Sequence, residues 1–358
     1  MTDKARMAVI GTGWWATYTH IPALQAHPRA ELVALCDSNP EKLQAAAKAY
    51  NIQALYTDVA TLLDQETLDG VVIATPHATH AALAQACLAR GLHVLIEKPM
   101  TLYAADAQTL VALAERQGRE LIMGYPWHYT APALRARECL RSGALGPIQY
   151  VSCTVTSGIA GLLRGDDGSD NHPAAYPVHG PGAVYSDPVL SGGGQGHLQM
   201  THAVGLLFFV SGLRAQHVLA QMSNHGLPLD LVDAMVVAFE GGALGIVGGT
   251  GNSRQHRLNI QIYCEHGGLD LDIVSQTLSI ENPDGRVETF RPEHSGEAYP
   301  RFAPAHNLVD VIVGKAANGA PAADGWRTVE LLDAAYRSAA RQGQAVWVKD
   351  LYSDRRPA

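Results

Sequence analysis

Short apolar runs alternate with amphipathic stretches through the first third of the chain. The runs are rich in Val, Ile and Leu and cover residues 7–10, 32–36, 71–74, 94–96 and 121–123. Runs of this length and composition are typical of parallel strands buried on both faces. Helical patterns occupy residues 41–49, 80–90 and 104–117, and a glycine follows each of the last two, where it favours a helix end. The pattern predicts an α/β fold with a doubly wound parallel sheet over residues 1–124.

The pattern changes after residue 124. A short helix is predicted at residues 135–141. Strand-like runs follow at residues 148–156, 216–222, 232–239, 244–247, 258–264, 269–273 and 277–280. Because turns separate most of these runs, we predict a second α/β domain over residues 125–358, built on an open, mostly antiparallel sheet. An open sheet commonly packs its uncovered face on another subunit, so we expect a homodimer or homotetramer.

Composition narrows the class of protein. The chain has 358 residues, of which 47% are hydrophobic and 17% charged, and its formal net charge is −8. This length suits two folded domains, and the negative charge disfavours nucleic acids and anionic membranes as partners. Five cysteines are scattered without Cys-x-x-Cys spacing, and no signal-peptide pattern precedes the first strand. We therefore predict reduced thiols and a cytoplasmic protein with no membrane partner.

A glycine-containing turn follows the first predicted strand and reads Gly11-Thr12-Gly13-Trp14-Trp15-Ala16. The first glycine permits a tight turn, the second lets the backbone approach a pyrophosphate, and Ala16 is small enough for a helix to pack on the strand. The next strand ends in Asp37, whose carboxylate can accept hydrogen bonds from ribose hydroxyls and would repel a 2′-phosphate. Ser38 follows instead of an arginine, so we predict NAD as the cofactor. Alternatively, Asp37 simply begins the turn before the helix that starts at Pro40.

Two further strand ends carry polar residues. The fourth strand leads into Ala74-Thr75-Pro76-His77, with His80 one turn later, and the fifth leads into Glu97-Lys98-Pro99. Ligands of open α/β sheets bind outside the carboxyl ends of strands, so Lys98 is expected at the nicotinamide edge. Taken without the glycine turn, these are ordinary strand-end residues.

Together these motifs resemble the Gfo/Idh/MocA family of sugar and polyol oxidoreductases. The resemblance extends over nearly the whole chain and includes the glycine turn, Asp37, residues 74–80, Glu97-Lys98-Pro99, and Gly192-Gly193-Gly194 followed by His202. It implies a Rossmann domain, a second domain whose sheet often forms the dimer face, and catalysis in the cleft between them. It also implies that Lys98 and His202 are the catalytic residues.

One position departs from the pattern that the resemblance implies. Many family members have an aspartate one helical turn before the catalytic histidine, and here that position is Leu198. Leucine cannot titrate, so either His202 acts alone or another group replaces the aspartate. Residues of the long, glycine-rich loop at 157–196, which has no periodicity and is expected to be functional, could supply that group. The candidates are Tyr185, Asp187, His179 and His197, and Gln199 could share the helix face of His202.

Oxidation of a secondary hydroxyl needs a base for the proton and a cation or donor at the developing alkoxide. Histidine can accept a proton at neutral pH, whereas lysine is charged unless its surroundings lower its pKa. We therefore predict His202 as the base, Lys98 as the alkoxide stabiliser and Tyr185 as a third catalytic candidate, acting on a sugar, polyol or sugar derivative. The alternative for His202 is a core histidine on an apolar helix.

Weaker candidates remain for substrate contact. They are Tyr125, Trp127 and His128 after the sixth strand, Gln195 in the loop, and Arg301 near a late helix predicted at residues 305–313. Aromatic faces pack on sugar rings, although packing between domains explains the same residues. No zinc-ligand spacing occurs among the sixteen histidines and five cysteines, so we predict no metal.

Two other functions fit the same motifs. The first is an NAD-dependent glycoside hydrolase that oxidises its substrate transiently, eliminates the aglycone, and re-reduces with tightly bound NAD. The departure at Leu198 and the long loop favour it, because elimination needs an additional acid or base. The second is a non-catalytic sensor of sugar and NAD, for which Lys98 or His202 would be dispensable.

Overall fold

A computed structural model describes residues 4–166, 177–292 and 297–353 and contains two β-sheets. The first sheet has six parallel strands in the order β3-β2-β1-β4-β5-β6. These strands are β1 (Ala5–Ile10), β2 (Ala30–Cys36), β3 (Ala54–Tyr56), β4 (Gly70–Ile73), β5 (His93–Ile96) and β6 (Leu121–Met123). The predicted doubly wound parallel sheet is confirmed, and β3 is a strand that the apolar pattern did not show.

The described residues form eleven α-helices. They are α1 (Ile21–Ala26), α2 (Pro40–Tyr50), α3 (Val59–Gln65), α4 (His80–Ala89), α5 (Ala104–Gln117), α6 (Ala131–Arg141), α7 (Ala160–Arg164), α8 (Pro188–Ser191), α9 (Thr201–Ser211), α10 (Ala303–Ile312) and α11 (Ala322–Ala340). Two π-helical segments, Ala16–His20 and Gly196–Met200, run directly into α1 and α9. The loop predicted at 157–196 thus contains α7 and α8, while residues 167–176 of it lie outside the described residues.

The second sheet has nine strands in the order β14-β13-β12-β11-β7-β10-β9-β8-β15. They are β7 (Ile148–Gly158), β8 (Ala215–Ser223), β9 (Val232–Phe239), β10 (Leu244–Thr250), β11 (Asn252–Cys264), β12 (Gly267–Asp272), β13 (Thr277–Glu281), β14 (Val287–Phe290) and β15 (Val346–Trp347). Only β10 and β7 pair in parallel, and the other neighbours are antiparallel. The prediction of a mostly antiparallel second sheet is confirmed.

Late residues complete the core of the first sheet. Leu308 and Val309 of α10 and Val329 of α11 are buried with the side chains of the parallel strands. Leu331 and Leu332, one turn further along α11, are buried in the core of the second sheet, together with most of α9. α11 therefore packs against both sheets and holds them side by side.

One face of the second sheet is covered by helices and the other carries exposed apolar side chains. Val236 on β9 lies opposite Ile246 on β10, and their side chains are 53% and 51% exposed. Leu244 and Tyr263 are exposed to a similar degree on the same sheet. Monomeric proteins rarely leave contiguous apolar side chains of this size uncovered.

No helix in the described ranges is long and apolar enough to cross a membrane. All five cysteines are free thiols, and four of them are buried. Burial raises the pKa of the Cys36 thiol, which lies at the end of β2, to about 12. These cysteines therefore contribute apolar volume and no covalent link.

Candidate active site

The carboxyl ends of β1, β2 and β4 meet at one edge of the first sheet, because Ile10 pairs with Cys36 on one side and Ile73 on the other. The turn after β1 begins at Gly11, whose φ is +92° and whose hypothetical Cβ would lie 2.4 Å from the Ala74 carbonyl oxygen. Only glycine fits there. The fold thus places the glycine turn directly against the chain leaving β4.

A cavity of about 500 Å³ extends along this edge. At one end it is lined by Gly11, Gly13, Asp37, Ser38 and Asn39, and at the other by Trp14, Trp15, Thr75, Pro76 and Tyr185. The predicted cofactor residues at these positions are therefore brought together. Thr12 and Ala16 are buried beneath them, where Ala16 packs in the core and leaves room for the helix.

Asp37 has two roles at the end of β2. Its Oδ2 accepts hydrogen bonds from the Thr12 backbone N–H (2.7 Å) and hydroxyl (3.0 Å), and its Oδ1 accepts one from the Asn39 N–H (2.8 Å). Asn39 in turn caps α2 through the N–H groups of Glu41 and Lys42. Asp37 thus begins the turn, and it also lines the cavity, where its contact with a ribose stays a prediction.

These residues fit a dinucleotide. A Cβ built on Gly13 would meet no protein atom within 4 Å, so the glycine leaves space above the helix start that the fold itself does not fill. Open backbone at a helix N-terminus is suited to a pyrophosphate, because its N–H groups and dipole attract anions. With Asp37 at the far end, the cavity presents the two groups that an adenine dinucleotide needs.

A second, smaller cavity of about 140 Å³ adjoins the first, and Trp14, Trp15, Ala74, Thr75 and Tyr185 line both. Its other lining residues are His77, Glu97, Lys98, Leu162, Leu198, Gln199, His202 and Tyr299. Lys98 comes from the first sheet and His202 from α9 under the second sheet. The two predicted catalytic groups therefore share one cavity between the sheets.

Lys98 follows β5, and its Nζ donates a hydrogen bond to the Leu198 carbonyl oxygen at 3.0 Å. Burial lowers the pKa of the Lys98 ammonium, and the neighbouring charge of Glu97 opposes that shift. The amine is thus held at the cavity with one bond to the backbone that precedes His202. Its remaining hydrogens are available to a ligand.

His202 is 6% exposed and lies among aromatic rings. Its ring centre is 5.4 Å from that of Trp127 and 6.2 Å from that of Tyr299, and its Nδ1 has no hydrogen-bond partner among the described residues. Burial, followed by the charge of Lys98, holds the pKa of His202 well below its ordinary value of 6.5. At neutral pH the ring is uncharged and can accept a proton.

Glu97 lies behind Lys98 and is 8% exposed. Its Oε1 accepts hydrogen bonds from Trp15 Nε1 at 2.7 Å and lies 2.8 Å from His20 Nε2. Burial alone would raise the pKa of Glu97, but the hydrogen bond and charge of His20, the charge of Lys98 and the Trp15 bond hold it below its ordinary value. Gly124 makes room for this carboxylate, since a Cβ there would lie 2.8 Å from Oε1.

The two histidines after β4 differ in their surroundings. His77 lines the smaller cavity, its Nδ1 lies 2.9 Å from the Ser191 carbonyl oxygen, and its ring is 5.7 Å from that of Tyr185. His80 is fully buried, with ring nitrogens near the carbonyl oxygens of Pro99 and Thr75. His80 therefore ties two strand ends together, whereas His77 faces the ligand space.

Leu198 contributes its carbonyl to Lys98, and its side chain packs in a small apolar cluster with Leu163 and Leu231. Of the groups considered as replacements for the family aspartate, Tyr185 and Gln199 line the smaller cavity. Asp187 instead caps α8 through the N–H groups of Val189 and Leu190, so its carboxylate is used locally. His179 is exposed and does not line either cavity.

Several predicted substrate contacts lie elsewhere, which corrects those expectations. Tyr125 is buried in the core and its hydroxyl pairs with Thr201 at 3.2 Å. His128 is 1% exposed and stacks on Phe209 at 4.2 Å. Trp127 contacts the His202 ring from behind but is not among the residues that line the cavity. Sequence alone could not separate these residues, because their burial depends on α9 packing over them.

Three polar residues are also displaced from the predicted substrate site. Gln195 is fully buried, and His197 packs on Tyr336 at 4.6 Å, facing a different cavity. Arg301 lies over the Tyr18 ring at 4.6 Å and donates a hydrogen bond to Glu297. Their predicted contact with substrate is not supported by these positions.

The structure adds residues that the sequence did not indicate. Tyr299 lines the smaller cavity and Leu162 joins it from α7. His20 reaches Glu97 from the helix after the glycine turn. Tyr299 and Leu162 lie in segments without periodicity, so no pattern marks them. His20 had a usable signal, since a histidine on an apolar helix next to the cofactor turn needs a buried polar partner.

Comparison with curated proteins finds similarity over part of the chain. A D-apiose dehydrogenase from Paraburkholderia graminis is 39% identical over 142 residues, which are 39% of this chain and 37% of that protein. Inositol 2-dehydrogenase 1 from Saccharopolyspora erythraea is 33% identical over 151 residues, covering 41% of this chain and 44% of that protein. The aligned regions thus span less than half the length of each of these relatives.

Solved structures resemble the chain over nearly its full length. An oxidoreductase domain protein from Kribbella flavida has a TM-score of 0.81 and 22% identity, covering 97% of this chain and 100% of that one. A levoglucosan dehydrogenase solved with NADH and levoglucosan has a TM-score of 0.79 and 20% identity, covering 96% and 99%. At these identities the likeness shows the fold.

Family models match both parts of the chain. Residues 5–125 match the NAD-binding Rossmann fold of the oxidoreductase family GFO_IDH_MocA, and residues 133–270 match the GFO/IDH/MocA C-terminal domain. The two models follow one another in the order of the two sheets. The chain therefore belongs to the Gfo/Idh/MocA family of oxidoreductases.

Proposed function

We propose that this protein is an NAD-dependent dehydrogenase that oxidises a secondary hydroxyl of a sugar, a polyol or a sugar derivative. The observation that carries the proposal is the smaller cavity, where Lys98 from one sheet and His202 from beneath the other meet beside the dinucleotide cavity. The names of similar proteins support this class of enzyme, since they include a D-apiose dehydrogenase, an inositol 2-dehydrogenase and a levoglucosan dehydrogenase.

In this proposal the larger cavity of about 500 Å³ binds the cofactor. Gly13 and the helix start would hold the pyrophosphate of NAD, and Asp37 would accept hydrogen bonds from the adenosine ribose. Thr75 and Pro76 lie at the end that joins the smaller cavity. Bound there, NAD would supply the two-electron acceptor for the oxidation.

The protein's own groups would handle the proton. His202 is uncharged at neutral pH, so it can take the proton of the substrate hydroxyl. Lys98, as an ammonium ion, would donate a hydrogen bond to the oxygen as negative charge develops on it. Because the pKa of His202 is well below 6.5, its protonation should limit activity only below pH 6.5.

The remaining lining would orient the substrate. Burial raises the pKa of the Tyr185 hydroxyl, so Tyr185 stays protonated and serves as a donor or acceptor. Gln199 offers an amide beside it. Trp15 and Tyr299 present aromatic rings to the same space, and rings of this kind pack on the apolar face of a pyranose.

The transient-oxidation glycosidase has no specific observation in its favour. The relatives described above carry the names of dehydrogenases, and the side chain of Leu198 packs in an apolar cluster. The alternative of a non-catalytic sensor of sugar and NAD is tested by the same experiment as the dehydrogenase, because a sensor would produce no NADH.

The partner that we propose is a second copy of the chain. Supporting it is the exposed apolar row on the second sheet, in which Val236 and Ile246 face each other across two strands. Such a face packs well on itself through a two-fold axis.

The function is tested by following NADH absorbance with a panel of sugars, polyols and sugar acids. With a substrate identified, Lys98→Met and His202→Asn should each lower kcat at least about 100-fold, since each removes a group that acts on the reacting oxygen. Lys349→Met and His266→Asn, which change an exposed lysine and an exposed histidine, are the matched controls and should leave kcat unchanged. Full turnover by either active-site variant would contradict the assignment.

A further inference from the structure

We propose that His20 is a positioning residue, which together with Trp15 fixes the carboxylate of Glu97 beside the Lys98 backbone N–H and so couples the dinucleotide-binding helix to the active-site amine. The inference rests on the proposed role of Lys98. Neither His20 nor Trp15 reaches Lys98 directly. They act through Glu97.

The geometry converges on one oxygen atom. Trp15 Nε1 donates to Glu97 Oε1 at 2.7 Å, and His20 Nε2 lies 2.8 Å from the same oxygen. Glu97 Oε2 accepts the Lys98 backbone N–H at 3.2 Å. Both donors to Oε1 belong to the helical segment that begins at the glycine turn, and the acceptor stands immediately before the catalytic lysine in the chain.

His20 has no other polar contact that explains its burial. Its side chain is 1% exposed, and its Nδ1 has no hydrogen-bond partner among the described residues. A buried polar ring with a single bond is costly unless that bond is useful. The bond to Glu97 is therefore the reason for a histidine at this position.

Glu97 is the negative group beside the amine. The other titratable groups whose pKa responds to the charge of Lys98 are His77, His80, His197 and His202, and those whose pKa responds to the charge of Glu97 include Tyr125, Tyr185 and Tyr299. None of these carries a negative charge at neutral pH. Loss of the Glu97 charge would therefore leave the burial of Lys98 unopposed.

The expected effect has a definite sign. In His20→Phe the Glu97 carboxylate loses a donor to Oε1, so it is held less firmly and can move away from Lys98. Its charge no longer supports the ammonium of Lys98, and the pKa of Lys98 falls. We expect a fall of about one pH unit, the size of effect that one nearby charge produces.

The first measurement needs no substrate. Lysines are reductively methylated with ¹³C-formaldehyde, the Lys98 signal is assigned with Lys98→Met, and its titration is followed by NMR in the apoprotein. His20→Phe and Trp15→Phe should both move the titration to lower pH, while His20→Gln, which keeps a donor near the position of Nε2, should restore it. His27→Phe removes the histidine paired with Asp310 and serves as the matched control.

The second measurement is the pH dependence of kcat/KM on an identified substrate, where the basic limb should shift downward by the same amount in His20→Phe. An unchanged Lys98 titration in folded His20→Phe and Trp15→Phe overturns this inference even if the enzyme is active. A shifted titration in a protein that oxidises no sugar or polyol upholds the inference and overturns the proposed function instead.

Discussion

At the scale of single residues, the contacts of a buried polar side chain decide whether it belongs to chemistry or to packing. His202 and His128 lie close in space and both are almost fully buried. His202 lines the cavity beside Lys98, whereas His128 stacks flat on Phe209, with Arg137 4.2 Å from the centre of the same Phe209 ring. Substitution of His202 is therefore expected to lower kcat, whereas substitution of His128 is expected to change stability and leave kcat unchanged.

His128→Phe should leave kcat unchanged and make the protein more resistant to acid. Burial lowers the pKa of His128 from 6.5 to about 3, so the unfolded chain binds a proton that the folded chain does not as pH falls below 6.5. This penalty costs the native protein about 2 kcal/mol at pH 5, and phenylalanine removes it. Urea unfolding at pH 8 and pH 5 measures the effect. An equal loss of stability in both proteins between these pH values would show that His128 does not titrate in this way.

At the scale of elements, the turn after β1 contains one glycine that the fold requires and one that only a ligand would require. Gly11 is required by its φ of +92° and by the Ala74 carbonyl 2.4 Å from its hypothetical Cβ. Gly13 has no such constraint. The two glycines of this motif are thus needed for different physical reasons.

Gly11→Ala should destabilise the apoprotein by about 3 kcal/mol, because it combines an unfavourable φ with a clash against backbone. Gly13→Ala should leave the melting temperature of the apoprotein unchanged and weaken NAD binding at least about tenfold, since its methyl group occupies the space for the pyrophosphate. Thermal melts and NAD titration calorimetry distinguish the two. Wild-type affinity in Gly13→Ala would mean that the pyrophosphate lies elsewhere.

The elements that the sequence predicts well are those whose own residues carry the signal. Central strands such as β4 are buried on both faces and appear as apolar runs, and residues 104–117 were predicted as a helix at the bounds of α5. The strands that were missed lie at sheet edges: β3 is only half-buried, β14 is mostly exposed and β15 has two residues. α11 is also absent from the sequence prediction, and in the structure it is buried around most of its circumference.

The residues of the site also differ in whether local sequence predicts their position. Lys98 and Asp37 follow from strand ends, where local sequence determines position. Tyr299 and His20 reach the site through long-range packing, and Tyr125 and His128 are removed from it by the same packing. Sequence motifs therefore identify candidate catalytic and cofactor-binding groups, and only the fold shows which other residues line the site.

At the scale of the whole molecule, two sheets enclose the active-site cavity while one sheet face stays open. The open face carries Val236 and Ile246 near its centre, each more than half exposed. Burial of these side chains against a second copy would gain roughly 25 cal/mol for each Å² of apolar surface.

Ile246→Asp should therefore convert the proposed dimer to a monomer, since the interface would have to bury an unpaired carboxylate. Leu134→Asp, which changes a similarly exposed leucine on α6, is the control and should keep the native mass. Analytical ultracentrifugation measures both. A wild-type protein that sediments as a monomer would remove the proposed interface altogether.

The packing of α10 on β4 and β5 has a consequence for how the chain is made. The last strand of the first sheet ends at Met123, yet α10, which packs on β4 and β5 of that sheet, begins only at Ala303. While the ribosome is translating the second half, apolar side chains of the nascent first half lack their cover and are open to chaperones and proteases. The first sheet therefore gains its full cover only after α10, which follows most of the second sheet in the chain, has been translated.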